Sequence, residues 1–428
     1  MKRVRVILIG AGNRGTVYTD IMKHMPEQYQ VVGVADALEE HRMYIREKHG
    51  FSENSCFSSW QDILDVPKFA DVAIISTQDS LHYDPAMKAL EVGYDLLLEK
   101  PIAVTEEQCI NIYRQAKKYN RKVMVCHVLR YTAFYEKVKS LIDANAVGDI
   151  VSISHEECVG NVHQSHSYVR GNWGNTKRSN FMLLTKSCHD LDLIQWLMNK
   201  SCSRVQSFGS LYYFKRSNAP EGAPDYCVQD CSHAENCPYN AVKLYYEDKE
   251  NAWFRTTATK KVAPTDEDVL AAITNTQYGK CVFKCDNDVV DHQTVNMEFE
   301  DHTTAVFTMC AFNKGGRKTH IMGTHGEMYC DFEEDVIQLY HFNDRTTETF
   351  HPAKEPVDGT LVGGHGGGDT GIVCALYDYL TGKKGSDEVS EIEISCKNHQ
   401  LVFAAEKSRL TSSIVSVEND NGFGKLEL

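Results

Sequence analysis

The sequence lacks any apolar run close to the roughly 18 residues that a membrane-spanning helix needs. It also has little positive charge: 45 Lys and Arg residues stand against 59 Asp and Glu residues, which gives a net charge of −14. An acidic surface of this kind repels phosphate backbones and anionic lipid, so we expect neither nucleic acid nor a membrane as a partner. Internal repeats and low-complexity tails are also missing. The length of 428 residues indicates two or three domains.

We also expect no export signal. The opening segment MKRVRVILIGAG has an apolar run that is too short for a signal peptide. It leads into glycines rather than into a cleavage site, so we interpret it as a β-strand. We therefore predict that the protein stays in the cytoplasm.

Cysteine, in contrast, is abundant for a cytoplasmic chain, with 15 residues. A reducing cytosol favours free thiols or a bound metal over disulfides. Cys227, Cys231 and Cys237 lie in one short irregular segment together with His233, and this spacing indicates a structural zinc site, although it is not a paired C-x-x-C motif. Free buried thiols are the alternative interpretation. A zinc ion here would hold the segment together and would take no part in catalysis.

Two domains follow from the order of strand and helix patterns. In residues 1–128, short β-branched runs alternate with helical patterns, which predicts a doubly wound parallel sheet of the Rossmann type. In residues 129–428, the strands alternate between apolar and polar positions, which predicts an α+β domain with a largely antiparallel sheet. Residues 215–280 are rich in Cys, Asn, Asp and Pro and are interpreted as an irregular insertion. One continuous helix is predicted over residues 183–198.

A glycine motif stands between the first strand and the first helix. The segment Gly10-Ala11-Gly12-Asn13-Arg14-Gly15 matches G-x-G-x-x-G, in which the glycines permit a tight turn, close approach of a pyrophosphate and close packing of helix on strand. The helix N-terminus, which begins near Asn13 and Arg14, offers free N–H groups to the phosphates. Asp36 ends the second strand at the spacing where an acid binds the ribose hydroxyls and repels a 2′-phosphate. We therefore predict a dinucleotide site that prefers NAD over NADP.

The segment Glu99-Lys100-Pro101 ends the fifth strand, and a later helix carries His189 and Asp192. Together with the glycine motif, these residues resemble the glucose–fructose oxidoreductase / inositol dehydrogenase (Gfo/Idh/MocA) family over nearly the whole chain. The resemblance implies an NAD-dependent oxidoreductase that acts on a carbohydrate or polyol. It also implies that the second sheet is open and mediates a homodimer or homotetramer. It further implies that Glu99 contacts the cofactor and that Asp192 contacts the substrate.

The same resemblance gives roles to two residues. Lys100 lies at the sheet edge that faces ligands in open α/β sheets, where its ammonium group can hydrogen-bond a sugar hydroxyl. Pro101 fixes the direction of Lys100, and we expect a cis peptide bond there. His189 is the general acid/base, because the ordinary pKa of histidine is close to the working pH.

One departure from the family pattern concerns the residue one helical turn before His189. The family usually has an Asp there, but this sequence has Thr185 followed by Lys186. Lys186 lies three residues before His189, on nearly the same face of the predicted helix. Our hypothesis is that Lys186 shares the proton transfer or binds an acidic substituent of the substrate. A solvent-facing lysine is the alternative.

Further substrate contacts are predicted in two loops. The first loop is polar and aromatic, and sugars require hydrogen-bond donors together with a flat apolar face. It contains His163, His166, Tyr168, Arg170, Asn172 and Trp173. The second is the glycine-rich run at residues 363–368, where His365 is the proposed contact. An ordinary surface loop and a mobile glycine loop are the respective alternatives.

Two rival functions remain open at this point. Some relatives retain NAD and cleave glycosides by transient oxidation, elimination and re-reduction, and a lysine-rich site suits that chemistry. The other rival is a regulatory protein that binds NAD without catalysis, against which Lys100 and His189 argue.

Overall fold

The computed structural model describes residues 3–354 and 365–417 of the chain. The β-branched runs of the N-terminal part form a six-stranded parallel sheet in the order β3-β2-β1-β4-β5-β6. The strands are β1 (Val4–Ile9), β2 (Tyr29–Ala35), β3 (Cys56–Phe57), β4 (Val72–Ile75), β5 (Asp95–Leu98) and β6 (Val123–Val125). The strand order reverses between β1 and β4, and ligands bind at such switch points. The predicted doubly wound sheet is confirmed.

Both faces of this sheet are covered by helices, which explains why its strands are apolar on every side. The helices that follow the first five strands are α1 (Asn13–Lys23), α2 (Glu39–His49), α3 (Trp60–Asp65), α4 (Tyr83–Glu91) and α5 (Glu106–Lys118). Their connections at the carboxyl ends of the strands form the rim on which the predicted cofactor residues lie.

The second sheet has nine strands in the order β14-β13-β12-β11-β7-β10-β9-β8-β15, and every neighbouring pair is antiparallel except β7 and β10. Its strands are β7 (Ile150–Cys158), β8 (Cys202–Ser210), β9 (His292–Phe299), β10 (Thr304–Cys310), β11 (Gly316–Gly323), β12 (Gly326–Asp331), β13 (Val336–His341), β14 (Thr347–Phe350) and β15 (Val415–Ser416). The largely antiparallel sheet that we predicted is confirmed.

Helices cover one face of this second sheet. They begin with α6 (Ala133–Asp143), the single turn α7 (Asn161–His163), α8 (Met182–Thr185) and α9 (Cys188–Met198). The prediction of one continuous helix over 183–198 is wrong, because the helix breaks at Lys186 and Ser187. The N–H groups of Asp190 and Leu191 donate to the carbonyl of Ser187, which starts a new helix there.

The insertion between β8 and β9 is more regular than the sequence indicated. It contains α10 (Ala252–Thr259), α11 (Asp266–Asn275) and a π-helical turn at Val242–Glu247. A separate small apolar core holds these elements together. The insertion is therefore a folded subdomain.

The last two helices, α12 (Gly368–Thr381) and α13 (Ile392–Thr411), return to the N-terminal sheet. Apolar residues of α12, such as Ile372 and Leu376, pack in the same core as β1 and α1. α13 begins in the core of the first sheet and ends in the core of the second. The division at residue 128 stays a prediction, and these C-terminal helices cross it. No helix within residues 3–354 and 365–417 is long and apolar enough to cross a membrane.

Candidate functional site

The glycine motif adopts the turn that a dinucleotide loop needs. Gly10 has φ +90°, and a Cβ there would lie 2.8 Å from the backbone of Ser76. A Cβ on Gly15 would lie 2.3 Å from the carbonyl oxygen of Gly10. A Cβ on Gly12, in contrast, would meet no described atom within 4 Å, and Gly12 is the N-cap of α1. The loop therefore leaves open space at the helix N-terminus, beside exposed Asn13, where a pyrophosphate fits.

Asp36 completes this loop from the end of β2. Its carboxylate accepts hydrogen bonds from the N–H groups of Ala11 (2.7 Å) and Leu38 (2.8 Å). Burial raises the pKa of Asp36, but the hydrogen bonds from His41, Leu38 and Ala11 outweigh that effect and lower it. The side chain is therefore a carboxylate that lies directly beside the glycine loop.

Arg14 and Glu99, both predicted on the cofactor side, face each other inside the protein. Arg14 pairs with Glu99 (2.9 Å) and Asp369 (2.6 Å), and its guanidinium lies over the ring of Tyr18. Glu99 also accepts a hydrogen bond from the hydroxyl of Tyr18 (2.7 Å). Both side chains therefore link α1 to the end of β5 and to α12, and hold these elements in place around the loop.

Lys100 follows Glu99 at the end of β5 and reaches the second domain. The peptide bond to Pro101 is cis, as predicted. The ammonium Nζ donates a hydrogen bond to the carbonyl oxygen of Thr185 (2.8 Å). Thr185, which replaces the family's Asp, thus binds Lys100 through its backbone carbonyl.

His189 lies in the first turn of α9, just beyond the helix break, and is 7% exposed. Its Nδ1 atom is buried and has no hydrogen-bond partner among the described residues. Burial lowers the pKa of His189 well below its ordinary value, and the charges of Lys100, His127, Arg317 and His365 lower it further. The lowered pKa therefore keeps the imidazole neutral.

Asp192, predicted as a substrate contact, lies one turn further along α9 and is 1% exposed. It forms a bidentate pair with Arg130 (2.6 and 2.7 Å) and accepts a hydrogen bond from Asn398. Burial raises its pKa, but Arg130 and His127 outweigh this and lower it. These contacts connect α9 to the segment after β6 and to α13, so Asp192 fixes the position of the helix that carries His189.

His127, which was not predicted from the sequence, follows β6 on the same sheet edge as Lys100. Its ring lies 5.8 Å from that of His189, edge to face, and Nε2 lies 3.7 Å from Asp192. Burial lowers the pKa of His127 to about 4. Its place directly after a parallel strand was the signal that could have revealed it.

Lys186 belongs to a buried charge network beside the second sheet. Its ammonium lies 3.3 Å from Glu157 of β7, and Glu157 also pairs with Arg317 of β11 (2.5 Å). Arg317 in turn pairs with Asp190 (2.7 Å), which hydrogen-bonds His155. Burial lowers the pKa of Lys186, although Glu157 opposes this effect. Glu157, Asp190 and Arg317 were not predicted from the sequence.

The predicted loop contacts separate into two groups. His166 stacks on Phe254 (4.0 Å) and hydrogen-bonds Tyr245, while Arg170 donates to the carbonyls of Tyr239 and Lys280. Both side chains face the insertion and are 1% exposed.

The second group contacts the rim of the parallel sheet and α12. Trp173 donates its indole N–H to Asp79 (3.0 Å) after β4, and its ring packs beside Tyr168. His365, whose side chain is 41% exposed, lies 3.3 Å from Asp369 and close enough to His189 to influence the pKa of that residue. Of the glycine-rich run, only the part from residue 365 onwards is among the described residues.

The zinc hypothesis is not supported. Cys227, Cys231 and Cys237 line one cavity together with Cys281, but all 15 cysteines are free thiols. No group of three His, Cys, Asp or Glu side chains in residues 3–354 and 365–417 has a geometry that holds a metal ion. The guanidinium of Arg170 donates to Cys227 Sγ (3.6 Å), so a positive charge already lies beside these sulfurs. Burial also raises the pKa of Cys237 and Cys281, which favours the protonated thiol.

Lys100 and His189 meet where the carboxyl edge of a dinucleotide-type sheet faces a second domain, and this arrangement is that of a nicotinamide-dependent oxidoreductase. Residues 4–127 match the oxidoreductase family with an NAD-binding Rossmann fold, and residues 139–360 match the C-terminal alpha/beta domain of the same family. The chain belongs to the Gfo/Idh/MocA oxidoreductase family. The resemblance found in the sequence is confirmed.

Individual relatives are distant. YteT of Bacillus subtilis is 23% identical over 383 residues, which are 85% of each chain. An inositol 2-dehydrogenase/D-chiro-inositol 3-dehydrogenase of Lactiplantibacillus plantarum is 22% identical over 205 residues, 48% of this chain and 55% of that protein. Levoglucosan dehydrogenase in complex with NADH superposes with a TM-score of 0.70 at 19% identity, over 97% of this chain and all of that one. At these identities, the likeness to the solved structure shows the fold.

Proposed function

We propose that this protein is an NAD-dependent dehydrogenase that transfers a hydride between the cofactor and a hydroxyl-bearing carbon of a carbohydrate or polyol. The observation that carries the proposal is the hydrogen bond from Lys100 Nζ to the carbonyl of Thr185. Because Thr185 ends the helix directly before α9, this bond holds an ammonium group close to the buried imidazole of His189. A proton donor and a proton acceptor thus converge at the ligand-binding edge of the sheet.

The bound nicotinamide supplies the hydride chemistry. Lys100 donates a hydrogen bond to the substrate hydroxyl and stabilises negative charge that develops on its oxygen. His189 takes the hydroxyl proton in oxidation and returns it in reduction. Its lowered pKa keeps the imidazole in the neutral form, which is the form that can accept the hydroxyl proton. Asp192 and Arg130 act as positioning residues, because they fix α9 behind His189.

The preference for NAD over NADP rests on Asp36. Its pKa is lowered by hydrogen bonds, so its carboxylate is charged and repels a 2′-phosphate. Gly10, Gly12 and Gly15, with Asn13 at the helix N-terminus, would hold the pyrophosphate. Arg14 and Glu99 support the loop from inside the protein.

The substrate class draws support from the relatives, which include inositol dehydrogenases and levoglucosan dehydrogenase. In this chain, the half-buried rings of Trp173 and His163 provide aromatic surface next to buried Tyr168, and His365 provides a polar group beside His189. We also propose that Lys186 contacts the substrate. Its ion pair with Glu157 neutralises much of its charge, which favours contact with a hydroxyl over contact with a carboxylate.

A glycosidase that uses NAD transiently is the second candidate, and the observation that favours it is the group formed by Lys186 and Glu157. Elimination next to a transient ketone needs an acid or base besides the redox pair, and this group lies on the substrate side. In that case NADH does not accumulate, and a nitrophenyl glycoside releases its sugar.

The homodimer or homotetramer also remains a proposal, as does the cytoplasmic location. The face of the second sheet opposite its helices carries exposed apolar residues on separate strands, among them Phe208, Val306 and Tyr329. A patch of this kind is typical of an interface.

The test is a panel of sugars and polyols with NAD and with NADP, followed by absorbance of the reduced cofactor and by product analysis. We expect reduced cofactor with at least one carbohydrate and preferentially with NAD. Sugar release without net NADH would select the glycosidase. Cofactor binding without turnover on any substrate would select a regulatory protein.

A further inference from the structure

The insertion between β8 and β9 is attached to the loop that precedes the site. Val162 packs against the small core of the insertion, and His166 stacks on Phe254 of α10. Arg170 adds hydrogen bonds to the carbonyls of Tyr239 and Lys280. Because buried contacts of several kinds join the two segments, the insertion has a fixed position at the rim of the site.

Trp253 lies at the start of α10, where Asn251 caps the helix by accepting a hydrogen bond from the N–H of Phe254. Phe254 points into the small core, whereas Trp253 is 39% exposed. The indole packs edge to face on His163 (5.1 Å) and on His166 (4.9 Å). The insertion thus presents a large aromatic ring that packs on two histidines and is partly exposed to solvent.

His163 joins this ring to the charged part of the site. It follows β7, whose Glu157 pairs with Lys186 and Arg317. Burial lowers the pKa of His163, and the charges of Lys186, His166, Arg317 and Lys100 lower it further, so its imidazole is neutral. His163 therefore lies between Trp253 and the cationic groups that surround the reacting centre.

Trp253 also ends a row of aromatic rings. The row starts at Trp173, which is fixed on Asp79 next to the parallel sheet, and continues through Tyr168 (6.0 Å) and His163 (5.9 Å) to Trp253 (5.1 Å). It runs from the edge that faces the cofactor out to the insertion.

We propose that Trp253 and His163 form an outer sugar subsite, which stacks on a second ring beyond the one that is oxidised. The substrate is then a disaccharide or a glycoside with a ring-sized substituent. Aromatic side chains suit this task, because they offer a flat apolar face to the C–H groups of a sugar and lose little conformational entropy. This inference rests on the proposed function for its assignment of the inner ring to Lys100 and His189.

The test compares W253A with L270A, which removes another exposed apolar residue of the same insertion on α11. In W253A, kcat/KM for a disaccharide or nitrophenyl glycoside should fall about tenfold more than kcat/KM for the corresponding monosaccharide, mainly through KM. W253F should recover most of the difference, and L270A should behave as the wild type. Equal losses for both substrates would overturn the proposal.

Binding measurements separate this inference from the dehydrogenase proposal. The same disaccharides, nitrophenyl glycosides and monosaccharides are titrated calorimetrically into wild type, W253A and L270A in the presence of NAD. We expect the wild type to bind two-ring ligands about tenfold more tightly than their monosaccharides, and W253A to lose that advantage, whether or not turnover occurs. If no two-ring ligand binds more tightly than its monosaccharide, the outer subsite does not exist.

Discussion

The cofactor loop and the substrate side of this site are built in opposite ways. The loop is made by neighbouring residues, from Gly10 to Gly15, with one distant carboxylate at Asp36. The substrate side brings together Glu157, Lys186, Asp190 and Arg317 from separate segments, and their charges largely compensate one another. The first arrangement is set by backbone geometry and the second by burial of charge, so the two respond differently to substitution.

The largest effect is expected where the two regions meet. Lys100→Met removes the ammonium that we propose stabilises the substrate oxygen, and kcat should fall about 1,000-fold, as for other electrostatic or acid–base groups. NAD affinity, measured by fluorescence titration, should stay within a few-fold of the wild type, because the Lys100 side chain is directed to Thr185. Lys118→Met, on the exposed end of α5, is the matched control. A Lys100→Met enzyme with nearly normal kcat would remove Lys100 from the mechanism.

The next effect concerns stability against pH. The pKa of His127 is about 4 in the folded protein, compared with 6.5 ordinarily, so the unfolded chain takes up the proton first as the pH falls. The contribution of His127 is complete above about pH 6.5, and about 2 kcal/mol of stability is lost between about pH 7 and about pH 5. Urea unfolding at both pH values should show a loss about 2 kcal/mol larger in the wild type than in H127N. Equal losses would mean that the buried His127 is not held neutral.

A smaller effect is expected at the cofactor loop. Asp36→Asn keeps a hydrogen-bond acceptor for the N–H of Ala11 but removes the negative charge. The preference for NAD over NADP, measured as the ratio of kcat/KM values, should fall about tenfold, or about 1.4 kcal/mol. Asp65→Asn on α3 serves as the control. An unchanged ratio would show that other residues select the cofactor.

The smallest effect is expected for Lys186→Met. Glu157 retains Arg317 as a partner, so the network loses one of its two cations and stays partly compensated. We expect kcat/KM for the carbohydrate to fall about fivefold, the size of one lost hydrogen bond to a substrate hydroxyl. Lys177→Met, an exposed lysine of the preceding loop, is the control. If turnover and substrate affinity are both intact in Lys186→Met, the residue has no part in the reaction.

The same contrast explains which features the sequence could predict. Strand β1 and the glycine turn were predicted because their signals lie in consecutive residues. Helix α11 also carries a local signal, the capping box formed by Thr265 and Asp268. This signal was not recognised when the insertion was interpreted as irregular. Local signals of this kind can be recognised in a single sequence without any knowledge of the fold.

The remaining features depend on contacts between distant residues. His127 is important only because β6 ends beside β5, and Glu157 reaches Lys186 only after the second sheet has formed. No proline or glycine beside Lys186 marks the helix break in the sequence. Trp253 contacts His163 and His166 only because the insertion packs on the loop that carries Val162. Such contacts between distant residues leave no pattern that can be recognised in a single sequence.

Isotope transfer tests the central claim most directly. The protein is incubated with NAD and a carbohydrate from the panel that carries deuterium on the oxidised carbon, and the recovered cofactor is analysed by mass spectrometry. We predict that one deuterium appears in the cofactor with the wild type and is almost absent with Lys100→Met. Saturating NAD binding without deuterium transfer from any labelled carbohydrate would contradict the assignment of Lys100 and His189 to hydride-linked catalysis.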